Sequence, residues 1–129
     1  ASKADRQGMD SAEIRTNLGN ALLKQNKVDE AIDSYKKAIE VNPLYAVAYL
    51  NMGRAQIEKG DATGALTSLN RCEELRFKGP HLAYYKAKAL IAQGKKDEAS
   101  VLVKRLLQDL PEGTFKNDVR QEFSAVLNN

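Results

Sequence analysis

The chain has 129 residues, 43% of them hydrophobic, with a mean hydropathy of −0.51 and 20 Lys and Arg against 17 Asp and Glu, for a net charge of +3. That length suits one domain with a continuous core, and the mild basic excess is spread along the chain instead of gathered into the stripe that nucleic-acid binding needs. A lone cysteine, Cys72, excludes an internal disulfide or a Cys-rich zinc site within one chain.

Residues 1–11 begin with a polar stretch (Ala1 to Asp10) that lacks helical periodicity, and they are expected to form a partly disordered extension. No run approaches 18 apolar residues, so neither a membrane span nor a signal peptide is expected; the compartment stays open, with a soluble, cytoplasmic setting favoured. From Ala12 the chain repeats with a period of 34: Leu18-Gly19-Asn20-Ala21 returns as Met52-Gly53-Arg54-Ala55 and then as Lys86-Ala87-Lys88-Ala89. A fixed period of this length marks one helical hairpin used several times, each copy burying its apolar face on the next.

Three copies result: 12–45, 46–79 and 80–113. Small residues recur in phase, as Gly19, Gly53 and Ala87, as Ala21, Ala55 and Ala89, and as Ala31, Ala65 and Ala99, and they mark where helices approach most closely. Asn26, Gly60 and Gly94 follow the first helix of each copy, where a left-handed residue ends a helix. Asp29, Thr63 and Asp97 then fall near the start of the second helix, where capping and the helix dipole favour them. Pro43 and Pro111, two periods apart, stop the second helices of the first and third copies. Residues 114–127 place Phe115, Val119, Phe123, Val126 and Leu127 on one stripe, which predicts a half-polar helix capping the last open face.

Leu18-Gly19, Ala31, Tyr35, Ala38 and Pro43 follow a known pattern of Leu-Gly, Ala, an aromatic, Ala and Pro, and the chain resembles the tetratricopeptide-repeat family. The resemblance implies an all-α, right-handed superhelical stack of three helix-turn-helix hairpins plus the cap. Arg15 stands where the family prefers Trp, Lys86 where it prefers Leu, Leu106 where it prefers Ala, and Phe77 where a Pro closes the repeat. The third copy diverges most, in packing more than in topology.

The resemblance also implies a concave groove, lined mainly by the first helix of each copy, that holds a peptide segment of a partner protein. Its positions here are Asn20, Arg54 and Lys88; Thr16, Leu50 and Tyr84; Asn17, Asn51 and Tyr85; Leu23, Ile57 and Ile91; with Glu13, Val47, His81, Lys24, Glu58 and Ala92 beside them. Cations, amides and exposed apolar groups together suit a peptide carrying acidic and apolar residues. Some members clamp the acidic C-terminal tails of heat-shock chaperones with two Asn and three cations. Asn20 and Asn51 match the amides, but Thr16, His81 and Tyr85 stand at the cation positions, which argues against that mechanism.

No phosphate loop, metal-spaced His pair or nucleophile elbow is present, so neither catalysis nor a cofactor is expected, and Cys72 reads as a small buried hydrophobe. The remaining alternative is self-assembly into a homo-oligomer through the ends of the stack. Arg15 and the polar first ten residues speak against an adhesive N-terminal face, while Phe115 and Phe123 are free either to seal the core or to receive another protomer.

Overall fold

The computed structural model describes the backbone of residues 3–128 and the side chains of residues 11–128. Among them are eight helices and no strand: α1 (Lys3–Lys24), α2 (Val28–Val41), α3 (Ala46–Lys59), α4 (Ala62–Glu74), α5 (Pro80–Ala92), α6 (Lys96–Asp109), α7 (Thr114–Glu122) and α8 (Ser124–Leu127). Consecutive helices pack in order, and α3 also touches both α1 and α5, so these three form one row of the stack.

Each hairpin turns at a left-handed residue. Asn26, Gly60 and Gly94 have φ of 63°, 91° and 81°, conformations that Gly adopts freely and Asn tolerates. The closure of the second copy is less usual: Arg76, two residues past the end of α4, is also left-handed at φ 63°, and Phe77 then folds onto the Leu69, Cys72 and Leu82 cluster. Phe77 thus replaces the missing Pro by anchoring the turn through burial.

Helix contact inside each hairpin depends on the first small-residue column. A Cβ built on Gly19 would lie 2.5 Å from Tyr35 Cε1, and one on Gly53 would lie 2.7 Å from Leu69 Cδ2. In the third copy Ala87 and Val103 share one buried cluster at the same spacing. Between hairpins the contact is made by alanines, with Ala12, Ala38 and Ala48 buried together where α2 sits between α1 and α3.

Four expectations need correction. Helix α1 begins at Lys3, inside the stretch read as a loose extension, because nothing between Lys3 and Ala12 forbids a helix; Ala1 and Ser2 lie outside the described residues. Ala21 is exposed, whereas Ala55 and Ala89 are fully buried, because among the described residues no hairpin packs on that side of α1. For the same reason Ile14 and Leu18 are 66% and 53% exposed, so the N-terminal face is apolar despite Arg15. Finally, the capping segment is two helices that break at Phe123 (φ −100°, ψ 17°), where Ser124, a poor interior helix former, restarts the chain.

The cap itself closes the stack. Val119, Phe123 and Val126 are buried against Leu106 and Leu110, so Phe123 seals the core of this protomer. Capping of α2 and α6 also differs from expectation. Asp29 and Asp97 lie in their first turns, placed to oppose the helix dipole, but the residue whose side chain caps a helix is Asp61, which accepts from the Gly64 amide at 2.9 Å.

Because Tyr35 is fully buried and its hydroxyl is tied to Asn20, the ring has no room to yield to a methyl group at Gly19. Gly19→Ala is therefore expected to lower stability by about 1–2 kcal/mol in chemical denaturation, with overpacking exceeding the gain in helix propensity.

Candidate functional site

The row of α1, α3 and α5 presents a surface with an apolar floor and a charged rim. Helical spacing sets Asn20, Arg54 and Lys88 on it one copy apart, with Lys24 and Glu58 one turn further along α1 and α3. Asn17, Lys24, Arg54 and His81 are exposed, and Asn20, Val47, Asn51, Ile57, Tyr84, Tyr85 and Lys88 are half-buried.

Three of the positions read from the family pattern are not surface at all, and one of them, Leu23, is 5% exposed and packs with Ala31, Ile32 and Tyr35. Thr16 is 1% exposed and turns its hydroxyl back to donate to the Ala12 carbonyl at 2.8 Å, the local bond a Thr makes inside a helix. Leu50 is 8% exposed and packs with Leu69, Cys72 and Leu82. All three lie beneath the surface.

Tyr84 is the hub of the surface at its C-terminal end. Its ring meets Tyr85 edge-on at 5.0 Å, Phe123 edge-on at 5.7 Å and Phe115 at 5.9 Å, while His81 stacks on Phe115 at 5.2 Å. The Tyr84 hydroxyl donates to Glu122 Oε1 at 2.6 Å, and Lys88 Nζ lies 3.4 Å from Glu122 Oε2 and 5.4 Å from the centre of the Tyr84 ring. Burial, and then the bond to Glu122, push the Tyr84 phenol well above its ordinary pKa, and burial raises Tyr85 as well. Both therefore remain neutral donors at any physiological pH.

Arg54 Nε sits 3.9 Å from Glu58 Oε1, a long and solvated contact that leaves the guanidinium available. Arg54, Ile57, Glu58, Tyr84, Tyr85 and Lys88 enclose a cavity of about 190 Å³ between α3 and α5. Asn20 is partly committed, since its Oδ1 accepts from the Tyr35 hydroxyl at 2.6 Å; burial lifts that phenol to about 12. Asn17, Asn51 and Lys24 have no side-chain hydrogen bond or ion pair among the described residues.

Glu122 was not legible as a groove residue. It belongs to the cap, outside the 34-residue period, and only the fold brings it to Lys88. His81 and Phe115 are joined in the same way, across the boundary between repeat and cap. Thr16 is thus withdrawn from the surface and His81 is drawn to the cap, while Arg54, Ile57, Tyr84, Tyr85 and Lys88 converge.

Away from this surface, Cys72 is fully buried and its thiol is pushed up to about 11, chiefly by burial and then by Glu73. A thiol with its pKa raised is protonated at pH 8, and the thiolate is the reactive form. Cys72 should therefore be inert toward a disulfide reagent in the native protein at pH 8 and react fully once the chain is unfolded, as followed by thiol absorbance. No cluster of three or more His, Cys, Asp or Glu able to hold a metal is found among the described residues, and no described helix is long and apolar enough to cross a membrane.

A family profile described as TPR repeat matches residues 19–60, and one described as tetratricopeptide repeat matches residues 47–75. Among curated proteins, human protein O-mannosyl-transferase TMTC1 is 38% identical over 64 residues, which is 50% of this chain and 7% of that protein. Bovine DnaJ homolog subfamily C member 3 is 28% identical over 134 residues, covering 92% of this chain and 25% of that protein. The chain thus spans a quarter or less of the length of either relative. Among solved structures, the first TPR of Spaghetti (RPAP3), bound to the HSP90 peptide SRMEEVD, superimposes with a TM-score of 0.81 at 25% identity over 94% of this chain and 96% of that one. The TPR domain of Arabidopsis OM64 gives a TM-score of 0.81 at 19% identity over 92% and 98% of the two chains, a likeness of fold.

Proposed function

Because the chain belongs to the tetratricopeptide-repeat family, we propose that it is a non-catalytic interaction module whose α1–α3–α5 surface binds a peptide segment of a partner protein. The observation that carries this reading is the convergence of Arg54, Lys88, Tyr84, Tyr85 and Ile57 on one cavity. Two cations and two neutral phenols beside an aliphatic floor suit a segment that carries carboxylates next to an apolar anchor. A similar fold holding a peptide supports this use of the surface; the SRMEEVD peptide is a fact of that protein, RPAP3.

The mode of capture differs from a five-ligand carboxylate clamp. Thr16 is buried with its hydroxyl spent on the Ala12 carbonyl, Tyr85 carries no charge, and His81 lies against Phe115. Charge for the ligand comes instead from Arg54 and Lys88, with Lys24 further along the surface.

The test is a selection of random twelve-residue peptides displayed on phage against the folded protein, followed by affinity measurement on the Arg54→Glu, Lys88→Glu variant. Selected acidic peptides should weaken by at least about tenfold, since an attractive pair becomes a repulsive one. Unchanged binding of all of them, with the circular dichroism spectrum intact, would remove this surface as the site.

Self-association through the N-terminal face is a second reading, favoured by the exposure of Ile14 and Leu18 on a face that is covered in the next two copies. Light scattering decides it. A mass that rises with concentration and returns to monomer in Ile14→Glu supports this reading, and a monomer throughout removes it.

A further inference from the structure

The helices that form the outer side of the stack carry a second recess, and its chemistry is specific to the third copy. Leu66 and Asn70 of α4, Lys86 and Leu90 of α5, and Val101, Leu102 and Arg105 of α6 line an open cavity of about 430 Å³ whose rim also holds Lys95 and Glu98. At 100° per residue, Lys86 and Leu90 lie on the far side of α5 from Tyr84 and Lys88, so this recess is separate from the surface described above.

Two adjacent columns of the repeat change character at this recess. The position of Val101 is Asp33 in the first copy and Thr67 in the second; that of Leu102 is Ser34 and Ser68. Both serines turn inward to make hydrogen bonds, Ser34 to the Arg15 carbonyl and Ser68 to the Gln56 amide, each at 2.6 Å. In the third copy these polar positions become aliphatic, and Val101 is left 71% exposed. An exposed aliphatic residue gained where other copies are polar, over a concave floor of Leu66, Leu90 and Leu102, has the form of a binding surface.

The rim indicates the charge of what fits there. Three cations, Lys86, Lys95 and Arg105, face one carboxylate, Glu98. Lys86 is held by Glu73 at 3.0 Å, but Lys95 and Arg105 have no ion pair among the described residues. A second cavity of about 600 Å³ shares Leu102 and Arg105 and continues the recess over Ala83, Leu106 and Leu110, with Glu73 and Asp109 at its edge. The combined trough is basic at the Lys95 end and acidic at the Asp109 end.

We infer that this outer trough is a second peptide-docking site, taking a segment with an aliphatic anchor over Leu90, Val101 and Leu102 and carboxylates beside Lys95 and Arg105. Its ligand lies on the opposite side of α5 from the first, so one module is able to hold two segments at once.

The experiment disables the inner surface first. Random twelve-residue peptides displayed on phage are selected on the Arg54→Glu, Lys88→Glu protein, and the recovered clones are measured on that protein carrying in addition Val101→Asp and Arg105→Glu. Val101→Asp restores the residue of the first copy at an exposed position, and circular dichroism checks that the fold is kept. Recovery of acidic, aliphatic peptides that weaken by about tenfold or more on the added changes is the expected result. No recovered clone, or clones that bind both proteins equally, would overturn the assignment. Neither result bears on the inner surface, whose two cations are reversed in both proteins.

Discussion

The architecture depends on how closely the two helices of each hairpin approach. Across the three copies that contact is made by Gly19 with Tyr35, Gly53 with Leu69, and Ala87 with Val103. In the third copy the residue on the first helix gains a methyl group, and its partner, Val103, is smaller than Tyr35 or Leu69. Close packing requires this, because a hairpin that kept both large residues would be forced apart and one that kept both small would hold a void. Constant spacing is thus maintained by complementary pairs, and constant spacing is what keeps α1, α3 and α5 in one row.

That row is where sameness of packing permits difference of surface. Gly19, Gly53 and Ala87 hold their helices while the next residues, Asn20, Arg54 and Lys88, vary without cost to the core. The variation is graded. At the N-terminal end the amide of Asn20 is drawn inward to the Tyr35 hydroxyl; at the C-terminal end Lys88 and Tyr84 are joined to Glu122 of the cap. Arg54, between them, keeps only a long, solvated contact with Glu58 and is the least committed of the three. A carboxylate arriving from a partner meets least competition at the centre of the surface.

What was legible in the sequence is what local stereochemistry decides. Asn26, Gly60 and Gly94 end their helices because left-handed backbone selects such residues, and no tertiary information is needed to say so. The period also carried the hairpin contacts, since a small residue in phase three times has few other causes. Burial was less legible. Thr16 and Leu50 share columns with half-buried Tyr84, yet a short side chain bonded to its own helix and a Leu within reach of Leu69 sink where a Tyr does not. Ala21 fails in the opposite sense, because its column is buried only when another hairpin precedes it. Asp61 was missed because Lys27 and Lys95 occupy its column, and reading by column discards what one copy does alone.

The outer trough lies on the far side of α5 from the inner surface. Its mark in the sequence is a break in two adjacent columns of the second helices, Asp33, Thr67, Val101 and Ser34, Ser68, Leu102. On a solenoid each helix has a packed side and a free side, and the period constrains only the packed one. Leu102 packs against the core of the third copy, but at Val101 the polar-to-aliphatic change lies on the free side, where it contributes nothing to stacking and exposes apolar area to water, which is unfavourable unless something covers it. In the third copy the packed side changes as well, from Ala38 and Cys72 to Leu106, because the neighbour there is the cap instead of another hairpin. The larger residue at Leu106 is accounted for by Val119, Phe123 and Val126, whereas Val101 has no such neighbour and remains exposed.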